Sequence, residues 1–171
     1  MPRRTPSSLA LLASALTIAT GCSVSKSTPP PAAGLVGAWR SHIEFENGLF
    51  AEVHDLEFLY AFNAGGTMTE SSNYDGAPPV PPAYGVWREV APDQYEAKYV
   101  FFMTKAPATF GEVAKGGGWL PAGHGVVTET LRVAAGGDSL SSTVTLDLFD
   151  KESHPVPGGG RGTARGVRIR F

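Results

Sequence analysis

The stretch QYEAKYVFFMT (Gln94 to Thr104) sets Tyr95, Ala97, Tyr99, Phe101 and Met103 on alternate positions, with Glu96 and Lys98 between them. A side-chain period of two belongs to extended backbone, and an apolar row opposite a charged one belongs to a strand with one face on a core and one in water. The pattern recurs. In SLSSTVTLDLF, Leu140, Val144, Leu146 and Leu148 oppose Ser141, Thr143, Thr145 and Asp147. In HDLEFLYAFN, His54, Leu56, Phe58, Tyr60 and Phe62 oppose Asp55, Glu57 and Asn63. Further runs cover Trp39 to Glu46, Thr67 to Tyr74, Tyr84 to Val90, Gly125 to Val133 and Thr163 to Phe171. About eight half-buried antiparallel strands, with almost no helical periodicity, imply an all-β sandwich or closed barrel.

Glycine-bearing turn signals separate these runs. Asn47-Gly48 in EFENGLF predicts a tight hairpin between alternating segments. FNAGGT (Phe62 to Thr67) and AAGGDS (Ala134 to Ser139) read as further turns, and HPVPGGGRG (His154 to Gly162) as a longer flexible one. Two segments break the order. DGAPPVPPAYG (Asp75 to Gly85) is too proline-dense for a central strand. APATFGEVAKGGGWLPAGHG (Ala106 to Gly125) mixes a short strand or turn with a glycine-rich loop. Loops of that length in a small domain are often functional, and both are expected to cover a barrel mouth.

Ahead of the strands, MPRRTPSSLALLASALTIATGC joins a basic start (Arg3, Arg4) to an apolar run, Leu9 to Ala19. That run is shorter than the ~20 apolar residues a spanning helix needs. The combination predicts a secretory signal. ATGC resembles the lipobox of bacterial lipoproteins, which implies cleavage before Cys22 and its acylation. Cys22 is the single cysteine, so the exported domain can form no internal disulfide. The expected organisation is a lipoprotein-type signal peptide over 1–21, a Ser/Pro/Ala-rich tether over 22–34 and one β domain over 35–171. The expected location is the cell envelope, with contact to the membrane through the lipid.

GAW (Gly37, Ala38, Trp39) opens the first strand directly after the tether. With the strand-turn-strand order, it resembles the lipocalin-like barrels of the calycin superfamily. LYAFNAGGTMTESSNYDGAPPVPPAYGVW and the Gly-Thr-x-x-x-x-Arg-x-Arg ending (Gly162 to Arg170) are similar to exported bacterial lipocalin-like lipoproteins. The resemblance implies an antiparallel up-and-down closed β-barrel of about eight strands, holding a small hydrophobic molecule. It also implies that Trp39, preceded by Gly37, plugs the closed end and packs on an arginine near the last strand. Val167, Ile169 and Phe171 look like that strand's apolar face, which directs Arg165, Arg168 and Arg170 outward and argues against the pairing.

Candidate ligand contacts are the inward row: His54, Phe58, Tyr60, Tyr99, Phe101 and Met103. They would form either plain core or an apolar pocket in which tyrosine hydroxyls orient a guest. An enzyme reading, with isomerase or cyclase chemistry in the same cavity, would draw on Tyr60, Tyr99 and His54 as acid/base groups. An outer-membrane barrel is a third reading, because GVRIRF alternates and ends in Phe. The four histidines lack zinc-motif spacing, so no metal is expected, and nothing calls for a cofactor. GGGRGTARG precedes a strand rather than a helix, which removes the helix N-terminus a phosphate loop needs. With a formal net charge of −2 and no basic block, no nucleic-acid partner is expected.

Overall fold

The computed structural model describes residues 34–76, 80–116 and 118–171. The strands are β1 (Gly37–Phe45), β2 (Glu57–Phe62), β3 (Thr67–Ser72), β4 (Ala83–Ala91), β5 (Gln94–Lys105), β6 (Leu120–Val133), β7 (Ser139–Phe149) and β8 (Pro155–Arg168). One short helix, α1 (Phe110–Gly116), lies between β5 and β6. Each strand pairs antiparallel with the next, and β8 returns to β1 over Trp39↔Arg168 to Phe45↔Gly162, closing an up-and-down barrel. Closure leaves no unpaired edge, which is how an all-antiparallel sheet avoids exposing backbone donors and acceptors.

The alternation in the sequence is the alternation in space. Trp39, Ser41, Ile43 and Phe45 point inward from β1, as do Tyr95, Ala97 and Tyr99 from β5 and Leu140, Ser142, Val144, Leu146 and Leu148 from β7. The outward row carries Arg40, His42 and Glu44 on β1 and Ser141, Thr143 and Asp147 on β7. A membrane barrel needs the reverse, an apolar girdle outside and a polar lumen. Exposed apolar side chains on the outer wall concentrate on β4 and β5, at Tyr84, Val86, Val100 and Phe102, rather than forming a girdle. That distribution favours the reading in which the apolar rows face a core.

The two ends of the barrel differ. At one end the turns are short: 63–66, 92–93 and 134–138. There Trp39 is fully buried, and its Nε1 donates to the Leu35 carbonyl at 2.9 Å. Around it the interior is solid, with Phe62 edge-on to Trp87 at 6.2 Å and Trp87 edge-on to Tyr95 at 5.8 Å. The Arg168 guanidinium lies 4.1 Å over the Trp39 ring. It donates to the carbonyls of Val36 (2.6 Å), Gly34 (2.5 Å) and Gly137 (2.6 Å). The expectation that Arg168 faces away is therefore wrong. Val167, Ile169 and Phe171 are the exposed residues, because the inner face of β8 is the row Gly160, Gly162, Ala164 and Gly166.

That row also corrects the reading of HPVPGGGRG as a flexible turn: Pro155 onward is strand. A Cβ at Gly162 would stand 2.3 Å from the Glu44 carbonyl oxygen, and one at Gly160 2.2 Å from that of Asn47. Glycine lets β8 close on β1 at a distance no side chain permits. The hairpin expected at Asn47-Gly48 is absent too. Glu46 N–H donates to Arg161 O at 2.7 Å, Leu49 N–H to Gly158 O at 2.9 Å, and Asn47 Oδ1 accepts from Arg161 N–H at 3.0 Å. Residues 46–56 thus continue along β8 and fold back as a long loop, and β2 begins only at Glu57.

Candidate ligand cavity

The open end carries the long connections: 46–56, 73–82, 106–119 with α1, and 150–154. Two of them are tied together across the rim. Tyr74 Oη donates to Asp55 Oδ1 at 2.6 Å, and Asn73 Nδ2 donates to the Asp55 carbonyl at 2.7 Å. The 46–56 loop turns its apolar residues down. Phe50 meets Phe45 at 5.8 Å between ring centroids, and Leu56 is buried. On α1, Thr109 Oγ1 accepts from Glu112 N–H at 3.3 Å while Glu112 Oε2 accepts from Ala108 N–H at 2.7 Å, a reciprocal N-terminal cap.

Beneath these loops the upper half of the barrel encloses a cavity of about 340 Å³. Its walls are apolar: Phe45, Phe58, Phe101, Met103, Val127 and Leu146 among them. The Phe101 ring lies where a Cβ on its partner Gly125 would be, 2.2 Å from the ring. Glycine at 125 therefore seats Phe101 flat against β6 and leaves the space in front of it open. Five side chains with polar groups join the wall: Glu70 and Ser72 of β3, Tyr74 and Asp75 of the following loop and Thr104 of β5. Among the described residues no Lys, Arg or His lines it. Three buried side-chain oxygens lack a hydrogen-bond partner among the described residues. Two of them, Glu70 Oε1 and Thr104 Oγ1, belong to this cavity; the third is Ser41 Oγ on β1.

A polar layer separates the cavity from the packed end. Glu129 of β6 is fully buried and accepts from Tyr60 Oη at 2.7 Å, Tyr99 Oη at 2.5 Å and Ser142 Oγ at 2.7 Å. Burial lifts its pKa, and the three hydroxyl donors oppose that rise. Tyr60 and Tyr99 are pushed well above the usual tyrosine range, by burial first and then by the Glu129 carboxylate. Both therefore keep their protons and donate. Glu70 is likewise held well above the ordinary carboxylate range, by burial first and then by Asp75 and Glu129.

Among the residues read from sequence as ligand contacts, Phe58, Phe101 and Met103 line the cavity. Tyr60 and Tyr99 point inward but lie below it, bound to Glu129. His54 is exposed in the 46–56 loop, because β2 and its inward row of Phe58, Tyr60 and Phe62 begin only after Leu56, and the backbone before them has left the sheet. Its grouping with the two tyrosines is corrected. Trp39 and Gly37 stand at the closed end, and Cys22 lies outside the described residues. Sequence reasoning missed Glu70 and Glu129. The signal was present: Glu70 shares parity with Met68, and Glu129 with Val127 and Leu131, so alternation alone sends both carboxyls inward. Among the described residues no group of His, Cys, Asp and Glu is arranged to hold a metal ion.

No protein-family model matches the chain, and neither a curated protein nor a solved structure matches it. The cavity's own geometry therefore carries the functional argument.

Proposed function

We propose that this protein is an exported, lipid-anchored, lipocalin-like binding protein that holds one small, predominantly apolar molecule in the mouth of its barrel. The observation that carries the reading is the division of the interior. The lower half is filled by Trp39, Phe62, Trp87 and Tyr95, while the upper half keeps a cavity of about 340 Å³ with apolar walls and a few convergent polar groups. Pockets of that size and lining are the usual form of a small-molecule site. The Gly-x-Trp start at Gly37 and the arginine over Trp39 support the lipocalin-like assignment, and the lipobox-like ATGC supports acylation at Cys22 in the cell envelope.

Binding is favoured over the enzyme reading built on Tyr60, Tyr99 and His54, because the two tyrosines donate to Glu129 beneath the cavity, His54 is exposed in the 46–56 loop, and none of the three lines it. The test is displacement of the apolar fluorophore N-phenyl-1-naphthylamine, with native mass spectrometry of protein recovered from its own host. Ala83 lies on the cavity wall and is almost fully buried. Ala83→Trp is expected to fill the space and abolish probe binding while the barrel still melts cooperatively. Unchanged binding in that variant would place the probe elsewhere and remove the reading. Globomycin treatment separately tests the anchor, and an unprocessed precursor is the expected result.

A further inference from the structure

The cavity's charges all have one sign. Glu70 and Asp75 line it, no basic side chain does among the described residues, and Glu129 lies just below. The tyrosine and backbone donors around Glu70 are already committed, and the Ser72 and Thr104 hydroxyls that line the same cavity make no bond to it among the described residues. The hydroxyls of Tyr60, the cross-strand partner of Glu70, and of Tyr99 both donate to Glu129. On the other side of Glu70 stands Ala83, which has no polar side chain. The Ser72 backbone N–H donates to Asp75 Oδ2 at 2.7 Å, and Tyr74 Oη donates to Asp55. Glu70 is only 5% exposed, and its Oε1 finds no donor among the described residues. A carboxyl buried without a partner is costly, and the group best able to relieve that cost brings donors and a positive charge together.

The geometry points to a guest that carries a protonated amine on an apolar body, with Glu70 as its counter-ion and Asp75 as a second acceptor at the rim. This rests on the cavity being a ligand site. A fatty-acid carboxylate, the opposite class of amphiphile, would meet the carboxylates of Asp75 at the rim and Glu129 below with no cation among the described residues between them, so the same wall selects against it. Among the described residues the titratable groups facing Glu70 are Tyr60 of β2, Tyr99 of β5, Glu129 of β6, and Tyr74 and Asp75 of the 73–82 loop, and none of these is cationic. In the absence of a cation, burial first and then Asp75 and Glu129 favour the protonated form of Glu70. An arriving ammonium then forms an ion pair with the Glu70 carboxylate, and the carboxyl proton leaves to solvent. Amine binding is therefore coupled to release of one proton and tightens as pH rises, until the amine itself deprotonates.

The test uses the full chain and three probes of one skeleton: octylamine, 1-octanol and octanoate. Isothermal titration calorimetry near neutral pH, in two buffers of different ionisation heat, gives both affinity and protons exchanged. Octylamine is expected to bind about tenfold or more tightly than octanol, with octanoate weakest. Proton release should accompany the amine alone. Glu70→Gln should bring amine and alcohol to the same affinity and remove the proton release. Equal affinities in the unaltered chain, a preference for octanoate, amine binding without proton release, or a preference that survives Glu70→Gln would each overturn the inference. Should Glu70→Gln fail to fold, the proton count on the unaltered chain decides alone. Failure of all three probes to bind would instead overturn the cavity as a ligand site, a separate outcome.

Discussion

At the scale of single residues, the closed end depends on two side chains that hold each other. Trp39 is fully buried and presents its ring face to the Arg168 guanidinium, which in turn reaches three carbonyls from two separate segments. Removing the indole leaves a void that the surrounding strands can only partly close. Trp39→Ala is therefore expected to cost about 3–5 kcal/mol in urea unfolding, and a midpoint equal to that of the unaltered chain would mean that the plug carries no load. Arg168→Lys keeps the charge but loses the planar fork that serves the carbonyls of Gly34, Val36 and Gly137 at once. A loss of about 1–3 kcal/mol is expected, read by the same unfolding curve. The two residues were not equally legible. Trp39 announced itself through Gly37 and the strand that follows. Arg168 was hidden because its neighbours Val167 and Ile169 look like a buried face, and only the glycine row of β8 shows that the parity runs the other way.

Among the elements, β8 is the one whose composition and role are furthest apart. Glycine, the residue least suited to a strand by propensity, occupies three of the four inward positions from 160 to 166. The reason is distance: β1 backbone lies where side chains would be. Gly162→Ala would push a methyl group to within 2.3 Å of Glu44 O before relaxation, at the seam that closes the barrel. The expected cost is about 1–3 kcal/mol, with faster hydrogen exchange confined to β1 and β8 amides. Gly136→Ala is the control, since nothing lies within 4 Å of its Cβ position. It should change stability by less than about 0.5 kcal/mol. Comparable effects at the two sites would remove the close-approach explanation. All eight strands were legible because period-two alternation survives wherever one face is buried. The limits of the last strand, and the missing Asn47-Gly48 hairpin, were not. Both depend on β8 pairing with the segment after β1, across more than 100 residues of sequence, and local turn chemistry cannot report such a contact.

For the whole molecule, the buried acids make stability depend on pH in a direction opposite to that of most folded proteins. Glu70 has a folded-state pKa raised by burial and by Asp75 and Glu129, while in the unfolded chain it returns to the ordinary carboxylate range. Between those two values the folded state binds more protons than the unfolded one, so unfolding becomes easier as pH rises. The contribution is complete below the unfolded pKa and is lost as pH climbs through the raised folded value. Asp150, held down by the His154 backbone N–H, is already ionised in that window and does not set its slope. Urea midpoints measured from about pH 5 to about pH 8 should therefore fall with pH, and Glu70→Gln, which has no proton to lose, should be flatter over the same range. The difference between the two curves isolates the contribution of Glu70. Glu129 adds the same sign, but its three hydroxyl donors oppose the shift, so Glu70 is expected to dominate. A midpoint that rises across the window, or parallel curves for the two proteins, would mean that Glu70 is solvated through the mouth and that the barrel is wetter at that wall than its burial implies.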